Sequence, residues 1–172
     1  MIHVYCGDGK GKTTCSIGLA IRAAGAGMKV AFMQFLKKDD SSEIIVLQKV
    51  NNVDKIENSN TYGFLWNMSD QQKETLREMH NENMRRVFGD IKSGRYNMVV
   101  LDELCAALNG ALLDRNIVID MLKYCIEHNI EMVITGRKPP EFILEKADYI
   151  TEMKKVKHPY DIGVTARPGI EY

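Results

Sequence analysis

The first thirty-six residues constrain the fold of this chain more than any other segment. A short apolar run at residues 2–6 predicts a buried strand, and residues 13–26 follow it with the apolar side typical of a helix. A second apolar run at residues 29–36, "KVAFMQFL", predicts another strand. Because a strand, a helix and a strand in this order form a βαβ unit, the two strands are predicted to lie parallel. This segment therefore predicts an α/β protein built on a parallel sheet.

Strand and helix patterns continue to alternate through the rest of the chain. Apolar runs predict strands at residues 96–101, 130–135 and 149–156. Helices are predicted at residues 70 to about 86, 104–112, 115–128 and 139–146, and Ser69 is placed to cap the longest. Residues 37–69 are polar and turn-rich, and only a short strand is predicted there. Residues 1–172 are therefore predicted to form one domain of three layers, with helices on both faces of a mostly parallel sheet.

A run of alternating glycines joins the first strand to the first helix. Residues 6–14 read "CGDGKGKTT" and resemble the phosphate-binding pattern G-x-x-x-x-G-K-[ST], except that Cys6 stands where the first glycine belongs. Glycines allow a backbone to present its N–H groups closely to a phosphate, and the start of a helix attracts anions. We call residues 7–11 the glycine loop. A glycine-rich turn without a ligand is the alternative interpretation.

Side chains in and after the glycine loop favour nucleotide binding. We predict that the phosphates approach the backbone at Gly7, Gly9 and Gly11 and the side chains of Lys10, Lys12 and Thr13. In this prediction Lys12 supplies a cation to a triphosphate, Lys10 supplies a second one, and the Thr13 hydroxyl binds Mg²⁺. The sequence therefore predicts a P-loop NTPase-like fold of the RecA-like kind.

Further polar residues end the other predicted strands. The run "MVVLDE" resembles a Walker B strand, so Asp102 or Glu103 is predicted to contact Mg²⁺ directly or through water. Arg137 follows the next strand and is predicted to lie at the rim of the site, because ligands of such sheets bind at the carboxyl ends of the strands. Arg22, on the first helix, either contacts phosphate or belongs to a solvated helix face.

Charge and cysteine content restrict the partners and the compartment. Lys plus Arg and Asp plus Glu number 23 each, and a neutral chain is not a general nucleic-acid or anionic-membrane binder. The four cysteines lack C-x-x-C spacing and are predicted to be core residues in a reducing cytosol. There is no apolar run long enough to cross a bilayer. We therefore expect a cytoplasmic protein without a nucleic-acid or membrane partner.

The sequence carries no pattern for a protein nucleophile. It lacks a serine elbow, a kinase catalytic loop and a Cys/His pairing that spacing could support. A nucleophile carried by a second substrate would explain this gap.

Six segments together resemble one family. They are "GDGKGKTT", "MQFLK", "GFLW", "VVLDEL", "VITGRKPP" and the closing "TEMKKVKHPYDIGVTARPGIEY". This set is similar to the corrinoid adenosyltransferases, also called cob(I)alamin adenosyltransferases. The resemblance implies a glycine loop that is one residue short as a rule and that binds ATP in the reverse sense relative to P-loop kinases. It also implies that Co(I) of a reduced corrinoid attacks the ribose C5′ of Mg-ATP and releases tripolyphosphate.

The resemblance also assigns roles to individual residues. It implies that Lys12, Thr13 and Glu103 act in catalysis, with Thr13 and Glu103 near Mg²⁺, and that Arg22 matches a family arginine. It also implies that the whole run from Gly7 to Thr14, with Asp8 and Thr14 included, binds the triphosphate. Phe64 and Trp66 match an aromatic pair that packs under the corrin ring, although core packing is their alternative interpretation. The implied partners are cobalamin or a corrinoid precursor, a second copy of the chain, and an electron donor such as a flavoprotein.

The chain departs from the family pattern at several positions. Leu65 and Asn67 replace the Thr and Glu of the usual aromatic motif, and "KDDSSE" after Lys37 lacks the usual glycine. The chain also starts at its first strand, whereas many relatives carry an N-terminal extension, so we expect either a more exposed site or dependence on another lid. The rival hypotheses are a P-loop NTPase or small-molecule kinase, and a carrier that binds its ligands without turnover.

Overall fold

The computed structural model describes residues 1–37, 41–58 and 67–171, and these ranges contain six strands, six α-helices and a 3-10 helix at Pro159–Ile162. The strands are β1 (Ile2–Cys6), β2 (Val30–Gln34), β3 (Val53–Ile56), β4 (Met98–Asp102), β5 (Glu131–Thr135) and β6 (Tyr149–Glu152). The helices are α1 (Lys12–Gly25), α2 (Ser42–Leu47), α3 (Asp70–Lys92), α4 (Leu104–Asn109), α5 (Arg115–Glu127) and α6 (Glu141–Leu144). None of the helices in these ranges combines the length and apolar character that crossing a bilayer requires.

The strands form a single sheet in the order β3-β2-β4-β5-β1-β6. Every neighbouring pair is parallel, so the predicted parallel sheet is confirmed. In a parallel sheet all carboxyl ends lie at one edge. That edge brings together Cys6, Gln34, Asp102 and Thr135, the last residues of the four inner strands, although they are far apart in sequence.

Two apolar cores cover the two faces of the sheet. One core joins alternate strand residues such as Ala31 and Met33 to helices α3, α4 and α5. The other joins Val30 and Phe32 to α1 and α2. Because both faces are covered, β2 and β4 are buried along their whole length, which explains their continuous apolar runs. The three predicted layers are therefore confirmed.

Helix α2 lies in a segment for which only a short strand was predicted. Its six residues, "SEIIVL", are too few to show a clear helical period and include β-branched residues that favour strands. Ile44 and Leu47, three residues apart, are both buried in the core beside α1, whereas Ile45 and Val46 are exposed. Packing of this one face therefore outweighs the local preference. The short strand that was predicted nearby is β3.

Helix α3 begins after Ser69, as predicted, and Ser69 forms a capping box with Gln72. The Ser69 hydroxyl accepts the N–H of Gln72 at 3.2 Å, and the Gln72 side chain accepts the N–H of Ser69 at 2.9 Å. The buried residues Leu76, His80, Met84, Val87 and Ile91 follow at spacings of three or four and face the core.

One member of this buried stripe is a titratable group. The His80 side chain is fully buried, its Nδ1 lies 3.1 Å from the Leu112 carbonyl oxygen, and its ring meets the Phe35 ring edge-on at 4.9 Å. Burial lowers the pKa of His80 to about 4. His80 is therefore neutral in the folded protein at pH values where an exposed histidine is already protonated.

The burial of His80 predicts a specific pH dependence of stability. At pH 5 the unfolded chain binds a proton at this histidine and the folded chain does not, so acidification from pH 7 should remove about 2 kcal/mol of unfolding free energy. His80→Asn, which keeps an N–H donor near Nδ1, should lack this part of the loss. Denaturant unfolding of both proteins at the two pH values measures the difference, and parallel pH profiles would contradict the assignment.

Candidate active site

The glycine loop connects β1 to α1 and is closed by a lysine. Lys12 is the first residue of α1, and its Nζ turns back to donate to the carbonyl oxygens of Gly7 at 2.7 Å and Gly9 at 2.8 Å. The residue is only 8% exposed, and burial lowers the pKa of its ammonium, while the Glu103 carboxylate opposes this shift. Lys12 therefore holds the loop in shape and places a cation beneath it.

Two loop glycines are required by a neighbouring segment of backbone. A Cβ on Gly7 or Gly9 would lie 2.6 or 2.5 Å from the carbonyl oxygen of Met153. The same oxygen accepts the Gly9 N–H at 2.6 Å, and the Met153 N–H donates to Cys6 at 2.8 Å. The strand predicted at residues 149–156 consequently ends at Glu152, because the chain then packs on the loop. From the sequence, these glycines were predicted only to let a phosphate come close to the backbone. The structure adds a second reason, because Met153 packs too closely to leave room for a side chain at either position.

Asp102 forms the polar centre of the site. Its side chain is fully buried at the end of β4, and its Oδ1 accepts the Thr135 hydroxyl at 2.7 Å. Its Oδ2 accepts three donors, which are Gln34 Nε2 at 3.0 Å, Thr13 Oγ1 at 3.1 Å and Lys37 Nζ at 3.2 Å. The donors come from β5, β2, α1 and the residues after β2. One carboxylate therefore joins four segments at the carboxyl edge of the sheet.

Glu103 follows Asp102 in a strained conformation. Its φ is 61°, a left-handed value that costs a residue with a side chain on the order of 1–3 kcal/mol. The Thr135 hydroxyl accepts its N–H at 2.8 Å, and helix α4 begins at the next residue. Burial raises the pKa of Glu103, and the Asp102 charge adds to the shift. The turn places this carboxylate on the cavity wall beside the loop.

A cavity of about 640 Å³ lies over the loop. Its wall includes the predicted residues Asp8, Gly9, Lys10, Gly11, Lys12, Thr13, Thr14, Glu103 and Arg137. Asp8, Arg137 and His158 also border a second cavity of about 960 Å³ that is walled mainly by the closing segment of the chain. These volumes fall in the range of small-molecule sites. The structure thus gathers most of the predicted residues around one concave surface.

Three of the predicted residues that the structure describes, Gly7, Arg22 and Asp102, border neither cavity. Arg22 is exposed on α1, nine residues beyond Thr13. Phe64 and Trp66 lie outside the described residues.

Sequence reasoning missed several residues that contact the predicted ones. Gln34 and Thr135 donate hydrogen bonds to Asp102 from the neighbouring strands. Each is the polar last residue of an apolar strand, and this pattern could have identified them from the sequence.

Lys10 forms an ion pair at 3.1 Å with Glu171, which also binds Arg167 at 3.0 Å. Hydrogen bonds from Arg167 lower the pKa of Glu171 to about 2. The closing segment therefore contributes to the wall of the site.

The carboxyl edge offers a pair of oxygens suited to a hard cation. Thr13 Oγ1 and Asp102 Oδ2 lie 3.1 Å apart, about the spacing of neighbouring ligands in an octahedral Mg²⁺ shell of roughly 2.1 Å bonds. The described residues contain no cluster of three or more His, Cys, Asp or Glu side chains that could hold a metal. The oxygen pair therefore suits Mg²⁺ that brings phosphate oxygens and water with it.

Comparison with solved structures supports the fold. A KaiC-like protein from Pyrococcus horikoshii OT3 superposes with a TM-score of 0.56 at 14% sequence identity, covering 89% of this chain and 70% of that one. At this identity the likeness concerns architecture alone, and it agrees with the predicted RecA-like fold.

Curated relatives match the whole chain. The corrinoid adenosyltransferase of Escherichia coli K12 is 34% identical over 174 residues, which span 100% of this chain and 85% of the relative. Corrinoid adenosyltransferase CobA of Salmonella typhimurium is 34% identical, with the same coverage. A corrinoid adenosyltransferase from Sinorhizobium sp is 31% identical and is covered over 80% of its length.

The family model described as ATP:corrinoid adenosyltransferase BtuR/CobO/CobP matches residues 1–172. Together with these relatives, this end-to-end match shows that the chain belongs to the ATP:corrinoid adenosyltransferase family.

Proposed function

We propose that this protein, acting as one domain over residues 1–172, transfers the 5′-deoxyadenosyl group of Mg-ATP to Co(I) of cobalamin or a related corrinoid. The end-to-end match to the family model carries the proposal. The cationic glycine loop and the oxygen pair beside it support it, because they suit a magnesium triphosphate.

The chemistry balances without a nucleophile from the protein. The electron pair of Co(I) forms the bond to C5′, the C5′–O5′ bond breaks, and its electron pair leaves with tripolyphosphate. Cobalt is formally oxidised to Co(III) in this step. The protein has to orient C5′ towards cobalt and offset the charge that develops on the leaving group. This division of work agrees with a sequence that lacks a serine elbow and a kinase catalytic loop.

The side chains around the loop are suited to the leaving group. Lys12 is fixed by two loop carbonyls and can bring its charge to the triphosphate without reorganising. Lys10 and Arg137 border the same cavity and add positive charge at its wall. We assign the triphosphate to residues 7–14, with the start of α1 facing it. The proposed role of Arg22 rests on the family resemblance alone.

Thr13, Asp102 and Glu103 are the proposed residues for Mg²⁺. Thr13 and Asp102 provide the oxygen pair, and Thr13 and Glu103 border the cavity over the glycine loop. Mg²⁺ bound there would offset part of the negative charge on the triphosphate.

The corrinoid is proposed to contact Phe64 and Trp66. This assignment comes from the aromatic motif of the family, in which the pair packs against the corrin ring and displaces the lower ligand of cobalt. A flavoprotein is a suitable electron donor for the reduction to Co(I).

We also propose a homodimer in the cytoplasm. Tyr149 and Ile150 on the outer strand β6 are about half exposed and Val156 beyond it is 89% exposed, which supports a protein contact at this edge of the sheet. All four cysteines are free thiols, which supports a reducing compartment.

Product identity tests the proposed reaction directly. Anaerobic incubation with ATP, Mg²⁺ and chemically reduced cobalamin should give the light-sensitive absorption spectrum of an alkylcobalamin, and phosphorus NMR should show tripolyphosphate. Lys12→Ala is the control and should form neither product, because the loop loses both its central cation and its support. Formation of ADP without an organocobalt product would instead favour a kinase or NTPase, and binding without any product would favour a carrier.

The aromatic assignment predicts a split between two assays. Trp66→Ala should slow adenosylation about tenfold or more when the reaction starts from Co(II) and a reductant, and much less when prereduced Co(I) is supplied. The expected reason is that the ring assists loss of the lower cobalt ligand before reduction. Trp66→Phe, which keeps an aromatic ring, should retain most of the activity in both assays. Equal losses in both assays for Trp66→Ala would indicate a packing role.

A further inference from the structure

Lys37 binds the same oxygen pair that suits Mg²⁺. Its Nζ donates to Thr13 Oγ1 at 3.1 Å and to Asp102 Oδ2 at 3.2 Å, and these two oxygens are 3.1 Å apart. The three atoms therefore form a nearly equilateral triangle with the ammonium at one corner. The Lys37 ammonium therefore occupies the position beside Thr13 Oγ1 and Asp102 Oδ2 where the proposed metal ion would bind.

The backbone around Lys37 holds it in this place. The residue directly before it, Leu36, has φ 60°, a strained left-handed value for a leucine. Phe35, one residue earlier, donates its N–H to the Asp102 carbonyl oxygen at 2.9 Å and so joins the end of β2 to the end of β4. The strained residue Leu36 thus directly follows a residue that is hydrogen-bonded to Asp102. Backbone strain of this kind is typical of segments that position a functional side chain.

Asp102 carries a single negative charge, which the Lys37 ammonium pairs at 3.2 Å. Its remaining partners, Gln34 and Thr135, are neutral hydrogen-bond donors. The carboxylate is fully buried, so a cation that leaves it has to be replaced by another. Because Lys37 and Mg²⁺ would use the same two oxygens, they cannot both hold them.

The Lys37 side chain can also extend into the cavity over the glycine loop. Its side chain is 36% exposed and borders the cavity together with the residues of the glycine loop. A lysine has a flexible four-carbon stem and a compact charge, so it can turn without moving the backbone. The anion expected in that cavity is the triphosphate.

We propose that Lys37 competes with Mg²⁺ for the oxygens of Thr13 and Asp102, and turns to the triphosphate when Mg-ATP binds. There its ammonium offsets charge on the departing tripolyphosphate. This inference rests on the proposed function, and it adds a residue that takes part in both metal binding and leaving-group stabilisation.

The test measures metal affinity and turnover separately. Lys37→Met keeps the length of the side chain and removes its charge. Without nucleotide, Mn²⁺ binding followed by electron paramagnetic resonance should become roughly three- to tenfold tighter, because the competing ammonium is gone. Adenosylation of Co(I) cobalamin should nevertheless fall about tenfold, because the leaving group loses a cation. A residue with a purely structural role would not move these two quantities in opposite directions.

Lys10→Met is the matched control. Lys10 borders the same cavity but its ammonium pairs with Glu171, so its loss removes the same charge without touching Asp102. Its effect on Mn²⁺ affinity without nucleotide should therefore be clearly smaller than that of Lys37→Met. Lys37→Arg, which keeps the charge, should leave Mn²⁺ affinity near that of the unmodified protein. If Lys37→Met does not fold, Lys37→Gln removes the same charge and should show the same tighter Mn²⁺ binding.

The inference is overturned if Lys37→Met binds Mn²⁺ no more tightly than the unmodified protein or than Lys10→Met. It is also overturned if turnover is unchanged, or if Lys37→Arg binds Mn²⁺ as tightly as expected for Lys37→Met. A failure of the proposed function appears elsewhere, as a missing organocobalt product from the unmodified protein. The Mn²⁺ titration needs no nucleotide and no corrinoid, so it still decides whether Lys37 competes for the oxygen pair.

Discussion

The buried carboxylate of Asp102 is the interaction on which the site depends. It is reached by donors from α1, β2 and β5, and from Lys37 beyond β2, at distances between 2.7 and 3.2 Å. A carboxylate without solvent is tolerated only when its oxygens are satisfied and its charge is paired. Those requirements draw four segments to one edge of the sheet, and they place the Thr13 hydroxyl and the Lys37 ammonium beside the glycine loop. The hydrogen bonds to Asp102 therefore both hold the four segments together and position the groups proposed to bind the magnesium triphosphate.

The conformation of the short glycine loop also depends on the residues that follow β6, which pack against it. Met153 occupies the space that side chains at Gly7 and Gly9 would need, and Lys12 binds the carbonyl oxygens of both. Cys6, which stands where a longer phosphate loop has its first glycine, is the last residue of β1 and accepts the Met153 N–H. The missing glycine is therefore no defect, since residue 6 belongs to the sheet.

Local patterns predicted most of the fold because the strands are buried on both faces and read as apolar runs. The loop, Asp102, Glu103 and Arg137 were also predicted, since each adjoins such a run. The contacts of Gln34, Lys37 and Thr135 were not, because they depend on the strand order, which places β4 between β2 and β5. Helix α2 was missed because six residues show little period, and its position is decided by tertiary packing.

The most direct test of this account is the affinity of Asp102→Asn for Mg-ATP, measured by isothermal titration calorimetry without corrinoid. The amide has the size of the carboxylate, but only one of its two terminal atoms can accept hydrogen bonds. In one orientation its NH₂ group would face the donors of Thr13, Gln34 and Lys37, and in the other it would face the Thr135 hydroxyl. The account predicts that the variant folds with reduced stability and binds Mg-ATP at least about tenfold more weakly. Affinity equal to that of the unmodified protein would contradict the central role of Asp102.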